Sequence, residues 1–434
     1  MQKAIISDRI YLKIEDREVA KKIVDKLTYK FGKKIPGGKS PRQVVETLTT
    51  FKRLPKGIYS LPQGRLDLIP EGYDLDDRRV MHPVPFPEPK LELYPDQLEV
   101  YEQVEDSCFI NALPGWGKTF TALHVAKKLG QKTLIITNTV ALRDQWVQEI
   151  NILFGVAPGI IGSGTFDIED HYIVVGNIQT LTKHTKTLAK EFGTVIVDEA
   201  HHCPASTFVS FLDELHARYR IGLSGTRLRK DGKHVIFNDY FGHKIFTPNV
   251  SNTLPPKIAR VNTGKMLKPG VTWVEKINEL LTDHDYIRFV AATALSMMGK
   301  GHQVLIIADR VEFLKQVTEY VGEDCLFVAG EVGFEEREIA KNQLLSREKM
   351  CVAGSRQIFS EGISINTLSC VILATPTNND AGLEQIIGRV MRKSDDKKLE
   401  PLVIDLQFLG PDARKQNEAR LALYLRKGWQ IISI

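Results

Sequence analysis

The 434-residue sequence has few cysteines, no long apolar run and little excess of either charge. Its five cysteines never form a C-x-x-C pair, which argues against a disulfide framework and against structural zinc. No apolar run reaches the roughly 18 residues of a membrane span, and charges occupy the N-terminus where a signal peptide needs an apolar core. We therefore expect a cytoplasmic protein that makes no contact with a membrane.

The small net charge of +5 is unevenly distributed along the chain. Residues 1–90 hold 19 Lys or Arg against 12 Asp or Glu, whereas residues 91–434 hold 39 against 41. The excess is concentrated in residues 21–56, which carry 11 basic and 2 acidic side chains. Such a segment either contacts a polyanion or forms a solvated helix face, and charge alone does not separate the two interpretations.

The first 90 residues have the pattern of a small α+β unit. Residues 5–14 have the apolar pattern of a strand, and residues 17–31 have helical spacing. A second helix is predicted from near Pro41, and residues 58–69 are predicted to form a strand pair. A small basic N-terminal domain over residues 1–90 is therefore expected.

A proline-rich segment follows this unit. Every second residue is proline, which excludes a helix or a central strand: Pro83, Pro85, Pro87 and Pro89. The segment is predicted to be a stiff linker and a domain boundary.

Two series of β-branched apolar runs alternate with helical stretches over the rest of the chain. The predicted strands of the first series are Cys108–Ala112, Thr133–Thr137, Tyr172–Val175, Thr194–Val197 and Arg220–Leu223. Those of the second series are Gln303–Ala308, Cys325–Val328, Met350–Ala353, Cys370–Ala374 and Pro401–Asp405. This alternation predicts an α/β protein with two doubly wound parallel sheets, one over residues 91–250 and one over 251–434. Ligands of such sheets bind at the carboxyl ends of the strands.

The segment ALPGWGKT, residues 112–119, is the clearest sign of a nucleotide site. It follows a predicted strand and opens a predicted helix. Gly115 and Gly117 allow backbone N–H groups to wrap phosphates, Lys118 would reach the β- and γ-phosphates, and the Thr119 hydroxyl would bind Mg²⁺. The sequence therefore predicts a variant phosphate-binding loop for ATP.

Paired carboxylates end the fourth strand of the same series, in the segment DEAH that begins at Asp198. Asp198 would hold Mg²⁺, and Glu199 would orient or deprotonate the attacking water. His201, His202 and Cys203 could be read as metal ligands, but no second ligand pair accompanies them. We expect His201 instead to form a hydrogen bond between the two predicted lobes, residues 91–250 and 251–434.

Three polar residues of the second series share one helix face, because Gln385, Arg389 and Arg392 follow the spacing i, i+4 and i+7. Guanidinium groups aimed at the γ-phosphate would stabilise charge in the transition state, an effect worth about 10³–10⁵ in rate. A basic, exposed helix end would have the same spacing. The combination with the phosphate loop and the paired carboxylates favours the role of arginine fingers.

With these motifs in this order, residues 91–410 resemble the superfamily 2 helicases. The resemblance implies two tandem RecA-like lobes that hydrolyse ATP with Mg²⁺. Gln97, in the segment YPDQ, resembles the element that contacts the adenine. Ser224 and Thr226, in the segment LSGT, resemble the motif that couples hydrolysis to lobe movement, together with His201.

The resemblance also implies contacts with a nucleic-acid backbone. Residues 133–146 and 174–181 are similar to the two such motifs of a first lobe, and residues 304–310 and 352–365 to those of a second. The contacts expected from these motifs are Thr139, Arg143, Gln179, Thr180, Arg310 and Ser355. Each of these side chains could instead be a helix cap or an ordinary surface group.

Within the superfamily the sequence is most similar to phage branch-migration helicases of the UvsW type, and it looks like that of a T5-type phage. These proteins reshape forks, R-loops and junctions. The segment 227–241 and a small basic N-terminal domain carry this likeness. One departure is Ser364, which replaces an aspartate that often touches ribose in relatives. The resemblance implies a DNA partner, branched or forked and single- or double-stranded, a monomer, and action in the host cytoplasm.

Three alternatives remain open from the sequence. A motor subunit of a restriction or nuclease system would need a nuclease motif, which is not found in this chain but could be supplied by another subunit. An RNA helicase is compatible with all of the motifs. A binding module without catalysis would have lost Lys118, Glu199 or Arg389, and all three are present.

Overall fold

A computed structural model describes residues 2–35, 42–112, 115–202, 205–225, 233–248, 253–361, 365–377, 380–392, 397 and 399–433. Two compact units are formed. The first contains Met1–Ala112 and Gly117–Asn249, and the second contains Leu113–Trp116 and Val250–Ile434. Thr226 and Ser364 lie outside the described residues.

The N-terminal part of the first unit is a five-stranded sheet, one helix and a separate hairpin. Its strands and helix are β1 Gln2–Ile6, β2 Arg9–Lys13, α1 Arg17–Lys26, β3 Thr28–Ile35, β4 Arg42–Thr49, β5 Lys52–Leu54, β6 Ile58–Pro62 and β7 Tyr73–Asp77. The sheet has the order β5-β6-β2-β1-β7, and β3 pairs only with β4. A small core of its own lies under the sheet and includes Ile10, Leu27 and Leu61. The Asp16 carboxylate caps α1 by accepting from the N–H groups of Glu18 and Val19.

Three predictions of local structure in this part are wrong. The predicted helix over residues 17–31 ends at Lys26, and Phe31 lies on strand β3. The helix predicted from near Pro41 is strand β4, which pairs with β3 from Thr28↔Thr49 to Ile35↔Arg42. The β-branched and aromatic residues of both segments suit a strand, and cross-strand pairing outweighed the helical spacing. The second strand predicted before residue 69 is a short 3₁₀ turn, Leu66–Leu68.

The rest of the first unit is a mainly parallel sheet flanked by helices. Its strands are β8 Cys108–Asn111, β9 Thr133–Thr137, β10 Gly159–Gly162, β11 Thr165–Phe166, β12 Ile173–Asn177, β13 Thr194–Val197, β14 Tyr219–Ser224 and β15 Ile245–Phe246. Its helices are α2 Pro95–Gln103, α3 Lys118–Leu129, α4 Val140–Phe154, α5 Ile178–Leu181, α6 Thr185–Leu188, α7 Ala205–Leu212 and α8 Phe237–Phe241. The sheet order is β11-β10-β12-β9-β13-β14-β8-β15, which places the strands that carry the predicted motifs side by side.

The second unit is a seven-stranded parallel sheet between two hydrophobic layers. Its strands are β16 Lys257–Met266, β17 Val304–Ala308, β18 Cys325–Val328, β19 Cys351–Ser355, β20 Cys370–Leu373, β21 Leu402–Leu409 and β22 Gln430–Ile432, in the order β18-β19-β17-β20-β21-β16-β22. Its helices are α9 Trp273–Thr282, α10 His284–Gly299, α11 Val311–Val321, α12 Phe334–Leu345, α13 Arg356–Glu361, α14 Asp380–Met391 and α15 Pro411–Arg426. All five strands predicted for this unit are present; Cys325–Val328 has the predicted ends, and the other four have shifted ends.

Buried ion pairs join the N-terminal sheet to the parallel sheet of the same unit. Arg9 pairs with Asp213, and both side chains are at most 4% exposed. Arg65 Nη1 lies 3.0 Å from Oδ1 of Asp239, which is fully buried. The Tyr29 hydroxyl also donates to the Asp239 carboxylate, at 2.9 Å. Residues 1–90 are therefore fixed to the sheet by charged contacts that exclude water, and their status as a domain of their own remains a proposal.

The proline-rich segment lies along the surface of the first unit. Pro83 forms a β-bridge with Gln131, and the Val84 N–H donates to the Gly130 carbonyl at 3.0 Å. Further along, the Lys90 N–H donates to the Leu153 carbonyl at 2.7 Å. The segment thus has the extended backbone that its prolines dictate, and hydrogen bonds hold it in place.

Among the residues that the structure describes, no helix has the length and apolarity needed to cross a bilayer.

Candidate nucleotide and nucleic-acid site

The phosphate loop lies between β8 and α3, as predicted. Gly117 is the N-cap of α3 with φ +97°, and Gly115 has φ +90°, which is backbone that favours glycine. The Lys118 Nζ donates to the Ala112 carbonyl at 3.0 Å, across the loop. Thr119 is the second residue of α3 and is half-buried. The helix N-terminus, two permissive glycines and a lysine together have the geometry that suits a phosphate group.

Gln97 lies against this loop, although 20 residues separate it from Gly117. Its Oε1 accepts from the Tyr94 N–H at 3.0 Å, which fixes the side chain at the start of α2. A Cβ added to Gly117 would lie 2.3 Å from Gln97 Nε2, so a larger residue there would displace the Gln97 carboxamide. The fold thus brings together the residue predicted on the adenine side and the phosphate loop.

The paired carboxylates follow β13, which lies next to β9 and β14. Asp198 accepts from the Trp146 indole N–H at 2.8 Å and from the Glu199 N–H at 2.8 Å. Burial, followed by the neighbouring Glu199 charge, raises the pKa of Asp198 to about 6. A bound cation would offset both effects, and carboxylate and hydroxyl oxygens are the ligands that Mg²⁺ prefers. Asp198 and Thr119 therefore fit a magnesium site.

Glu199 has an unusual backbone conformation, with φ +43°. A residue other than glycine is strained there by roughly 1–3 kcal/mol and is held by its surroundings. The Asn138 Nδ2 donates to the Glu199 carbonyl at 3.3 Å, and the Gly225 N–H lies 3.4 Å from Glu199 Oε2. This left-handed conformation turns the backbone two residues after β13 ends, at the predicted position of the carboxylate that acts on water.

His201 connects the carboxylates to the end of β14. Its Nδ1 lies 2.7 Å from the Ser224 hydroxyl and 3.2 Å from Glu199 Oε2. Both of these contacts are within the first unit, whereas the sequence interpretation expected a hydrogen bond between the lobes. The structure thus brings together His201 and Ser224, two of the three residues predicted to couple hydrolysis to movement. The third, Thr226, is outside the described ranges.

The side chains predicted to contact nucleic acid on the first unit have different environments. The Thr139 hydroxyl caps α4 by accepting from the Leu142 N–H at 3.2 Å. Arg143 is buried, where it pairs with Asp144 at 2.8 Å and donates to the Ser163 hydroxyl at 3.1 Å. Gln179 is exposed, and Thr180 is half-buried. Thr139 therefore stabilises the start of α4, and Arg143 stabilises the packing of this helix through its ion pair and hydrogen bond.

The predicted arginine fingers lie on α14 of the second unit and just after it. Arg389 Nε donates to the Phe359 carbonyl at 3.0 Å, and Arg392 Nη1 donates to Asn366 at 3.0 Å. Gln385 is only 2% exposed, and neither its Nε2 nor its Oε1 has a hydrogen-bond partner among the described residues. A buried carboxamide of this kind costs stability, so its presence needs a reason outside folding.

Two further predicted nucleic-acid contacts belong to the second unit. Arg310 is the N-cap of α11, and its Nε donates to Asn278 at 3.1 Å. Ser355 ends β19 and is half-buried. Arg310 follows β17, and Ser355 is the last residue of the neighbouring parallel strand β19, so both lie at one edge of the sheet.

Sequence reasoning missed Trp146 and Asn138, which contact Asp198 and Glu199, the two residues predicted to act in hydrolysis. Both lie in residues 133–146, a segment that was assigned to nucleic acid alone. The available signal was a fully buried tryptophan on a helix, because its indole N–H needs an acceptor. The acceptor is Asp198, which lies near Trp146 because β9 and β13 are neighbours in the sheet. The order of the strands in the sheet cannot be read from a local sequence pattern.

Comparison with known proteins gives two family models and several relatives. Residues 90–229 match the model "Type III restriction enzyme, res subunit", and residues 286–394 match "Helicase conserved C-terminal domain". A protein of Escherichia phage T5 that is named as a helicase is 42% identical over 388 residues, which cover 87% of this chain and 86% of the relative. A protein of Acanthamoeba polyphaga mimivirus, named as an ATP-dependent RNA helicase, is 28% identical over 73% of this chain and 63% of its own length.

A solved structure supports the fold. S. cerevisiae Dbp5 bound to RNA and ADP BeF3 aligns with 79% of this chain and 94% of its own, with a TM-score of 0.55 and 11% identity. Together with the two family models, this likeness shows two tandem RecA-like lobes. The predicted fold class is therefore confirmed.

Proposed function

We propose a substrate and a mode of action for this chain, which belongs to the superfamily 2 helicases. Members of this family are ATP-dependent nucleic-acid helicases. The finer proposal is that this chain acts on DNA and remodels forks, junctions and R-loops by moving along the backbone. The ATP-driven part of the proposal is carried by the convergence of the phosphate loop, the paired carboxylates and the His201–Ser224 contact at one sheet edge.

We assign a role to each group at this edge. Lys118 and the loop N–H groups hold the phosphates of ATP, and Gln97 lies on the adenine side. Asp198 and Thr119 would hold Mg²⁺, which neutralises phosphate charge when bound. Glu199 orients the attacking water and takes up its proton. The strained backbone of Glu199 supports this assignment, because strain of this kind clusters at active sites.

The second lobe is proposed to contribute Gln385, Arg389 and Arg392 to hydrolysis. Arginine side chains stabilise the charge that develops on the transferred phosphoryl group. The buried carboxamide of Gln385 has no hydrogen-bond partner among the described residues, so folding gains little from it, and this supports a role in chemistry.

Coupling of hydrolysis to movement is proposed to pass through His201. Its ring lies between the Glu199 carboxylate and the Ser224 hydroxyl. Loss of the γ-phosphate changes the charge near Glu199, and the hydrogen bond transmits that change to the segment after β14. Thr226, in the same motif, is included in this proposal.

A branched DNA substrate is supported by the N-terminal charge and by its fixed position. Lys21 and Lys22 are exposed on α1, in the most basic segment of the chain. The buried Arg9–Asp213 and Arg65–Asp239 pairs fix this surface to the first unit. A basic surface that cannot swing away is suited to hold one arm of a fork while the lobes act on another.

Two observations keep other substrates open. A similar viral protein is named as an RNA helicase, and the first-lobe model is named after a restriction-enzyme subunit. RNA unwinding, or a motor that works with a separate nuclease, is therefore the second candidate function.

A strand-displacement assay tests the proposal. Labelled fork, four-way junction, plain duplex and RNA duplex are compared at one salt concentration, with Glu199→Gln as the inactive control. The charge reversals Lys21→Glu and Lys22→Glu replace a deletion of residues 1–90, because a deletion would leave Asp213 and Asp239 buried without their partners. Lys415→Glu, on exposed α15, is the matched control. Preference for fork and junction, lost in the N-terminal reversals alone, supports the proposal; equal or better RNA unwinding contradicts the DNA assignment.

A further inference from the structure

One short segment of the first unit contacts both the nucleotide carboxylates and the predicted nucleic-acid surface. It begins at Asn138, directly after β9, and continues through the first two turns of α4 to Trp146. Thr139 and Arg143, which are predicted nucleic-acid contacts, lie within it. A movement of this segment on nucleic-acid binding would therefore be transmitted to Asp198 and Glu199 through one or two hydrogen bonds.

Trp146 is the first of the two links. Its side chain is 1% exposed, and its indole N–H donates to Asp198 Oδ2 at 2.8 Å. The other carboxylate oxygen accepts from the Glu199 N–H. Both oxygens of Asp198 are thus oriented by hydrogen bonds, one of them from the helix that carries Arg143.

Asn138 is the second link. Its Nδ2 donates to the Glu199 carbonyl at 3.3 Å, while its own carbonyl accepts from Gln179 Nε2 at 3.4 Å. Gln179 is exposed and is itself a predicted nucleic-acid contact. The chain Gln179–Asn138–Glu199 therefore runs from the protein surface to a residue whose strained backbone depends on its surroundings.

We propose that Asn138 and Trp146 are positioning residues that couple nucleic-acid binding to the nucleotide carboxylates within the first lobe. Nucleic acid bound at Gln179 and along α4 fixes Asn138 and Trp146, and these fix Glu199 and Asp198 in the arrangement that hydrolysis requires. The inference deepens the proposed function and rests on it. It assigns to this segment a role distinct from that of His201 and Ser224, which act after hydrolysis.

Thermodynamic linkage gives a measurement that does not depend on turnover. If the two sites are coupled, a non-hydrolysable ATP analogue with Mg²⁺ changes the affinity for a labelled fork, and the fork changes the affinity for the analogue by the same factor. Allosteric factors are typically about 5- to 150-fold. Anisotropy of the fork with and without analogue gives the factor directly.

The variants are Trp146→Phe, which removes only the N–H donor and part of the ring, and Asn138→Ala. Asn138 is half-buried, so its variant keeps the test informative if Trp146→Phe lowers stability. Matched controls are Trp429→Phe in the second unit and Asn151→Ala, a substitution on the same helix α4. Thermal unfolding of all four variants verifies that they are folded.

The expected result is a coupling factor that falls to about 2 or less in Trp146→Phe and Asn138→Ala, with the affinity for the fork alone changed less than about twofold. Both controls should keep the wild-type factor. Wild-type coupling in both test variants would overturn the inference, as would a wild-type protein without coupling. Failure of the proposed function is a separate outcome, since it would appear as wild-type protein that unwinds RNA as well as or better than a fork.

Discussion

Arg65 donates to the Asp239 carboxylate at 3.0 Å, and both side chains are buried within the first unit. The two residues are 174 positions apart, and the carboxylate also accepts from Tyr29. This pair connects the end of the N-terminal sheet to α8, which packs through Phe237 and Phe241 on Phe109 of β8. The basic N-terminal surface is therefore tied to the strand that leads into the phosphate loop.

Asp239→Ala is predicted to destabilise the first unit strongly. The substitution removes the buried carboxylate that accepts from Arg65, Tyr29 and Thr50, and it leaves Arg65 paired with the partly exposed Asp67. We expect a cost of about 3 kcal/mol, at the lower end of the range for a broken buried pair. The urea midpoint of the first unfolding transition should fall accordingly. Glu418→Ala, which breaks an exposed pair with Arg414, should leave the midpoint unchanged. Equal midpoints for the two variants would show that the buried pair does not hold the N-terminal sheet in place.

Asp198→Asn is predicted to stabilise the protein at neutral pH while it abolishes hydrolysis. Because the pKa of Asp198 is raised to about 6 in the folded state, the folded state binds the proton more tightly than the unfolded state. The contribution of Asp198 to the free energy of unfolding therefore declines as pH rises from about 4 to 6 and is lowest above that range. The gain should be about 1–3 kcal/mol at pH 7.5 and near zero at pH 4.

Urea unfolding at both pH values, without nucleotide or Mg²⁺, measures this difference. Glu418→Gln serves as the control, because that carboxylate and its partner Arg414 are both exposed. A variant that is no more stable than wild type at pH 7.5 would mean that the Asp198 charge is already compensated in the free protein.

Gln385→Met should keep or raise stability and lower the rate of ATP hydrolysis. The substitution replaces a buried carboxamide, which has no hydrogen-bond partner among the described residues, with an apolar side chain of similar length. Relief of an unsatisfied buried group is worth about 1–3 kcal/mol. Thermal unfolding and steady-state ATPase are measured together, with Gln343→Met, whose carboxamide donates to Glu348, as the control. A less stable variant with normal activity would assign Gln385 to packing.

Ser224→Ala is predicted to separate hydrolysis from strand displacement. The change removes the hydroxyl that lies 2.7 Å from His201 Nδ1 and leaves Lys118, Asp198 and Glu199 in place. ATPase should remain within a few-fold of wild type, whereas the strand displaced per ATP should fall about fivefold to tenfold. Ser210→Ala, an exposed position on α7, controls for the loss of a hydroxyl. A parallel fall in both rates would place Ser224 in catalysis instead.

Most strands of the two large sheets could be predicted from the sequence because they are largely buried, apolar runs. Thr133–Thr137, Thr194–Val197 and Cys325–Val328 end where the composition changes. The site residues that directly follow these strands were found for the same reason. The local sequence pattern and the global fold agree in these segments, so tertiary contacts do not change the secondary structure that the pattern predicts.

The N-terminal part was harder to predict because local spacing and tertiary pairing disagree there. Residues 42–49 become a strand only because β3 lies beside them, and an isolated two-stranded hairpin is marginal without further packing. Asp239 supplies part of that packing by holding Tyr29 at the base of β3 and Thr50 after β4. These contacts join residues 189 and 210 positions apart, so a local sequence pattern does not reveal them. The contact between Trp146 and Asp198, 52 positions apart, could not be predicted for the same reason.

The steady-state ATPase rate with different nucleic acids tests the central claim most directly. The rate is measured with no nucleic acid, single strand, plain duplex, a fork, a four-way junction and single-stranded RNA, with Glu199→Gln as the blank. The account predicts that fork and junction stimulate well above plain duplex, and that Lys21→Glu with Lys22→Glu removes this preference while basal hydrolysis remains. Stimulation by plain duplex or RNA equal to that by any branched DNA would contradict the account.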